Sequence, residues 1–399
     1  MTSTTFRLVI LLSCAHALVH TFEHALPSVE LMIGNDFSVG QSVTGALGTA
    51  WRIPFGAAAM FAGWLADRYG AKRLLSIFIL GSVATCLMAS FTYSIPLLFV
   101  VMFTMGSFAS IYHPAGLACI SHETDLSNRA RALGWHGIFG SVGIAAAPLL
   151  ASLLFLLPSF TWRQYYLALT IPGVVVFLLL YRLLPNHVYH EQPGVKDQSG
   201  EESPPGNWSC YFLLVIAGVL FGFIYASFTH FLPRYLDSAN LRPAGMTAAS
   251  TRTLLSGVVL LCGAAGQAFA GRIARPDHLN KFYLLIVLCN VPALLLMAVS
   301  QGAMRLVSTC LLAFVHFMNQ PIYNSILPQL VPRSRRSLGY GFSNMMCFGL
   351  GALGPSFAGR MPNDFTNYSV LAGVALLTAG IVFLLGRTMA STTSLTPGS

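Results

Sequence analysis

Apolar runs of about twenty residues recur along the whole chain, separated by short polar turns. A helix needs about 20 apolar residues to cross a hydrocarbon layer. Twelve stretches qualify: 7–31, 42–65, 74–92, 95–119, 131–157, 163–184, 208–232, 250–273, 281–300, 304–327, 338–359 and 367–386. Backbone groups in lipid must bond within their own segment, so each run is predicted to be a helix. An even number of spans places both termini on one side. Residues 185–207 form the one long polar interruption, mixing Pro, Gly, Ser and charges. They are predicted to be a solvated linker between two six-helix bundles, 1–184 and 208–387. The Ser- and Thr-rich residues 388–399 are predicted to be a flexible tail.

Composition points the same way. Of 399 residues, 55% are hydrophobic and 9% charged, against about 25% charged in an ordinary soluble domain. That excludes a soluble enzyme or a disordered chain. The net charge of +9 does not indicate a nucleic-acid partner, because the basic residues stand singly or in pairs between apolar runs. With the N-terminus cytoplasmic, the inner loops hold fifteen of the basic residues and the outer loops six, with Arg52 left inside a span. This asymmetry predicts a multi-pass protein of a bacterial-type plasma (inner) membrane with both termini cytoplasmic. A signal sequence ending near Cys14 is the competing reading of the first run, but the run continues to Met32. The eight cysteines lie in or beside apolar stretches and form no CxxC pair, so they are expected to pack as small apolar side chains.

The two halves repeat at an offset near 207. Gly63-Trp64-Leu65-Ala66-Asp67 corresponds to Gly271-Arg272-Ile273-Ala274-Arg275, Pro114 to Pro321, Arg131-Ala132-Leu133-Gly134 to Arg336-Ser337-Leu338-Gly339, and Pro148 to Pro355. Four matches in chain order indicate a duplicated unit, the architecture of alternating-access carriers with the substrate site between the halves.

Ionisable residues inside spans are costly and mark functional positions. The first span carries His16, His20, Glu23 and His24; the first three share one helix face. A buried carboxylate flanked by imidazoles is a plausible proton carrier, so Glu23, His20 and His16 are the candidate coupling group. A structural cluster or a histidine metal site are the alternatives, and no metal is assigned. Arg52 sits near mid-membrane and needs a partner: Glu23, an anionic substrate group, or backbone carbonyls. Further histidines fall on the fourth (His113), fifth (His136), seventh (His230) and tenth (His316) spans, with Asn319 and Gln320 after His316. Trp51, Tyr225 and Tyr323 are aromatic groups able to stack on a solute.

The loop Gly63-Trp64-Leu65-Ala66-Asp67-Arg68-Tyr69-Gly70-Ala71-Lys72-Arg73 resembles the G-x-L-A-D-R-x-G-x-K signature of the major facilitator superfamily, and the likeness extends over about residues 6–386. The resemblance implies an all-α membrane protein of twelve transmembrane helices in two bundles. It also implies a conformational latch formed by Gly63, Asp67, Arg68, Gly70, Lys72 and Arg73. The second copy departs from the pattern, with Arg275 in place of the acid, so a one-sided latch is expected. Residues Gly106 to Pro114, and the stretch from Gly137, Gly140 and Gly143 through Pro148 to Leu150, resemble the fosmidomycin-resistance-like branch. These glycines also serve close helix packing, and His113 and His136 are expected near the cytoplasmic third, where gating takes place. In this superfamily the first, fourth, seventh and tenth helices line the cavity, which makes His113, Tyr225, His316, Asn319 and Gln320 candidate cavity residues. Arg52, on the second span, joins them by its mid-membrane charge and candidate anionic partner.

The function expected is secondary transport of a small organic solute, as proton-coupled export by alternating access. Proton-coupled uptake of an organic anion is the second reading. A non-transporting receptor on the same scaffold is the third. Neither a Ser/His or HExxH constellation nor a GxxxxGK[ST] loop occurs, so an intramembrane enzyme and a self-contained ATP-driven pump are excluded. The expected partners are the lipid bilayer, a small-molecule substrate and protons, with no cofactor, and the protein is expected to work as a monomer.

Overall fold

The computed structural model describes residues 2–124, 126–185, 206–332 and 335–394. The first eight helices are α1 (Ser3–Asp36), α2 (Gln41–Ala57), α3 (Ala59–Tyr69), α4 (Ala71–Ser90), α5 (Ile95–Ala109), α6 (Tyr112–Glu123), α7 (Leu126–Leu154) and α8 (Trp162–Leu183). After the segment 186–205, which lies outside the described residues, come α9 (Trp208–Asp237), α10 (Ala248–Ile273) and α11 (Leu279–Val299). The chain continues with α12 (Met304–Phe317), α13 (Asn319–Leu330), α14 (Arg336–Gly351), α15 (Gly354–Ala358) and α16 (Asp364–Ser394).

Among the described residues, nine helical stretches are long and apolar enough to cross a membrane. The remaining three rods are interrupted: α2 with α3, α12 with α13, and α14 with α15. Together they make the twelve spans read from hydropathy. The fourth span, α5 with α6, is also broken. Proline explains three of these breaks. A proline has no N–H to offer the carbonyl four residues earlier. The carbonyls so released belong to Ser110, Phe317 and Gly351, four residues before Pro114, Pro321 and Pro355, and there α5, α12 and α14 end. Pro114 and Pro321 are matched by the internal repeat, so the duplication is visible there as two equivalent helix breaks. In the other matched pair only Pro355 follows a break, while Pro148 lies inside α7.

Among the described residues, the buried apolar side chains form one core from α1–α8 and two from the second half, with Ala145 crossing between them and half-buried Leu149 and Phe348 packed across. Large apolar side chains such as Val100, Phe103, Leu153, Ile171, Leu376 and Leu377 stand exposed on the outside, as a surface facing lipid requires. The halves meet where α1 passes α9, where α2 passes α14 and α15, and where α10 runs along α7. The last helix, α16, reaches Ser394, so residues 388–394 of the stretch expected to be a flexible tail are helical, and 395–399 lie outside the described residues. The expected linker falls almost wholly outside the described residues.

Candidate functional site

The α1 segment His16–His24 lies at the boundary between the halves. Glu23 is 3% exposed, and its Oε1 is 2.5 Å from Nη1 of Arg52, on α2. Of the three partners open to Arg52 in the sequence, the structure selects Glu23. A buried charge pair holds only when further hydrogen bonds satisfy its remaining atoms. Here Oε2 of Glu23 lies 2.7 Å from Nδ1 of His20, and Nη2 of Arg52 donates to Thr229, 3.4 Å away on α9.

The line of contacts continues along α1. His20 Nε2 lies 3.1 Å from His16 Nε2, and His16 Nδ1 lies 2.7 Å from the carbonyl of His136 on α7. Tyr112 closes this end, donating to the Leu12 carbonyl at 2.6 Å and meeting His136 Nε2 at 3.1 Å. His16 and His136 stack with centroids 3.7 Å apart, and His113 stands edge-on to His16 and His20 at 5.3 and 5.4 Å. The structure therefore brings His113 and His136, expected at a gate, into one cluster with the coupling candidates. Ring nitrogens of His16, His20 and His113 lie within 4.8 Å of one another.

This packing depends on absent side chains. A Cβ on Gly140 would collide with the His16 ring, and one on Gly143 with the Ala17 backbone. Gly137, singled out with them in the sequence, has open space beside it. Pro148 lies inside α7.

The second half supplies the other wall. Tyr225 on α9 bonds His24 at 3.0 Å and lies under Arg52, whose guanidinium is 5.5 Å from the ring centroid. His316 sits behind Tyr225, stacked on Phe221 at 4.0 Å and bonded to Asn290 at 2.9 Å. Gln320 accepts from Gln267, which accepts in turn from Ser141 of α7, a relay across the halves. Asn319 keeps a buried Oδ1 without a hydrogen-bond partner among the described residues. Trp51 is buried, and Tyr323 bonds Ser343 at 2.6 Å within the second half, so neither is poised to stack on a solute.

At the end of the bundle away from the termini the halves are sealed. Arg234 of α9 bonds both carboxylate oxygens of Glu30 on α1, which also accepts from Thr44. His230 bonds the Thr44 carbonyl at 3.0 Å, and Ser152 and Ser250 donate to each other's carbonyls at 2.9 and 2.8 Å. Sequence reasoning placed Arg234 among ordinary loop charges. Its position in the last turn of an apolar helix, with Glu30 near the end of the first span, was the signal available.

In the loop after the second span, Gly70 takes φ +87° between α3 and α4. Arg68 lies over Trp64 and Tyr69, and Lys72 over Tyr181. Arg73 is exposed, Asp67 is engaged by a neighbouring group, and Gly63 faces Pro114 at ordinary contact distance.

Twelve rods, a duplicated break and a charged site between the halves agree with the comparison to known proteins. The sequence matches the Major Facilitator Superfamily over residues 10–355. The chain belongs to that superfamily. It is 32% identical over 162 residues to the puromycin resistance protein pur8 of Streptomyces alboniger, covering 40% of this chain but only 31% of that relative. It is 20% identical to the probable L-galactonate transporter of Escherichia coli, covering 94% and 88% of the two chains. Among solved structures it superposes on a bacterial homolog of the human lysosomal transporter Spinster with a TM-score of 0.80, at 15% identity and 98% coverage of both. This major facilitator protein is a multi-pass membrane transporter of small molecules, not an enzyme.

Proposed function

We propose that this transporter is a proton-coupled exporter of a small organic solute, working by rocking of its two halves about the α1–α9 boundary. The observation that carries the reading is the buried line Arg52–Glu23–His20–His16, which belongs to the first half and is touched from the second by Thr229 and Tyr225. Rocking that separates α9 from α1 and α2 must break those contacts. Protonation and conformation are thereby tied together. Export is favoured by the similarity to a puromycin resistance protein and by the residues 106–114 and 137–150 that resemble the fosmidomycin-resistance-like branch. Uptake of an organic anion loses its motive once Arg52 is held by Glu23. We place the protein in a bacterial plasma membrane as a monomer with both termini inside.

The test uses protein in liposomes with an internal pH dye and a panel of amphiphilic drugs and small organic anions. One compound should drive proton movement in the wild type, and Glu23→Gln should abolish it while the variant remains folded. Solute flux without proton movement, or unchanged coupling in Glu23→Gln, would overturn the coupling role. Binding without flux would favour the receptor reading.

A further inference from the structure

The contacts around His20 fix a proton count. Three hydrogen bonds lie in series: Glu23 Oε2 to His20 Nδ1 at 2.7 Å, His20 Nε2 to His16 Nε2 at 3.1 Å, and His16 Nδ1 to the His136 carbonyl at 2.7 Å. Each needs one hydrogen. Two neutral imidazoles and a carboxylate supply only two. The carbonyl of His136 can only accept, so His16 Nδ1 carries a hydrogen. If Glu23 is a carboxylate, His20 Nδ1 carries one as well. Neutral rings would then point two bare nitrogen lone pairs at each other across 3.1 Å.

We infer that the His16–His20 pair holds one additional proton, shared between the two Nε2 atoms, and that Glu23 is its fixed counter-ion rather than its carrier. The third hydrogen could instead reside on the Glu23 carboxyl, but Arg52 lies 2.5 Å from the other oxygen in the same buried site and holds that group ionised. The other groups facing the pair do not compete for the proton. His24 bonds Tyr225, and Tyr112 spends its hydrogen on the Leu12 carbonyl and so accepts from His136 Nε2. His113 packs edge-on against both rings and makes no hydrogen bond among the described residues. A ring nitrogen of His113 lies within 4.8 Å of the pair, which makes His113 a candidate relay for the proton. His20 is also the part of the line that reaches solvent, with its side chain 12% exposed against 2% for Glu23. That this proton is the one exchanged in transport rests on the function proposed above; the site itself does not.

The experiment is nitrogen-15 solid-state NMR of the full-length protein, histidine-labelled, in lipid at neutral pH. Among its eleven histidines, one pair should show coupling across an N–H–N bond between two ε2 nitrogens, with a hydrogen on both of its δ1 nitrogens. A bare His20 Nδ1 would put the third hydrogen on Glu23 and overturn the inference. The coupling should disappear in His16→Gln and in His20→Gln and persist in His113→Gln. Each variant is first checked for an unchanged elution profile. Absence of the coupling in folded wild type, or its appearance only after EDTA treatment, would overturn the inference, the second because a metal ion would then bridge the pair. The two proposals separate cleanly: coupling seen by NMR without proton-driven flux in liposomes leaves the site standing and removes the transport role, and the reverse leaves transport standing with another carrier.

Discussion

Arg234 grips both oxygens of Glu30 across 204 positions of sequence, with Nη2 at 2.7 Å and Nε at 3.0 Å. The acid is 1% exposed and belongs to α1; the arginine closes the last turns of α9. With Thr44 and His230 beside it, this pair bolts the halves together at the end away from the termini. An alternating-access cycle has to open that bolt.

Removing one partner of a buried ion pair leaves an uncompensated charge and costs about 3–5 kcal/mol. Arg234→Gln therefore penalises the sealed state alone. Each 1.4 kcal/mol is about tenfold in population. In a Ser250→Cys background, where position 250 is buried against Ser152, alkylation by a membrane-impermeant reagent should accelerate by at least about tenfold. An unchanged rate would show that the bolt does not control this end.

The Glu23–Arg52 pair answers differently, because both members belong to the first half. Arg52→Gln strands the carboxylate without altering the contacts at the sealed end. The expected result is a loss of about 3–5 kcal/mol in stability, read as a lower unfolding midpoint in detergent. Arg52→Lys should recover part of it, since the ammonium keeps the charge but cannot reach Glu23 and Thr229 with the same fork. Equal midpoints for wild type and Arg52→Gln would show that the Glu23–Arg52 pair does not stabilise the fold.

Much of this architecture is legible in the chain. Hydropathy yields twelve spans because lipid tolerates only internally bonded segments, and the prolines at 114, 321 and 355 mark where three of the rods break. Glu23, His20 and His16 share a face by helical spacing, and the structure holds them in contact. What the chain does not display is which groups meet across helices. His136 lies 120 positions from His16, and only the packing of α7 on α1 brings its carbonyl to that ring. His316 looks like a cavity residue by its span, yet Asn290 and Phe221 enclose it. Partner choice is a three-dimensional property, and a span's hydrophobic pattern carries no trace of it.

Gly140 tests that packing directly. A side chain at this position must displace the His16 ring, whereas a Cβ at Gly137 would meet nothing within 4 Å. Gly140→Val should cost about 1–3 kcal/mol through overpacking and abolish proton-coupled flux by breaking the His16–His136 contact. Gly137→Ala should stay within about 0.5 kcal/mol of wild type, the range of a substitution that meets nothing. A tolerated Gly140→Val with full coupling would show that His16 need not sit where the structure places it.

Gly70 is the last and most local case. Its φ of +87° with ψ of 144° lies in a region open to glycine and strained for other residues. The turn it makes ends α3, through its N–H on the Ala66 carbonyl at 2.8 Å, and starts α4, which carries Lys72 over the Tyr181 ring. Gly70→Ala should cost about 1–3 kcal/mol. Because the strain falls on the turn and not on the solute site, the variant should keep its affinity for solute while its rate of turnover falls. Lost affinity at normal turnover would place this loop in solute binding and remove it from the conformational cycle.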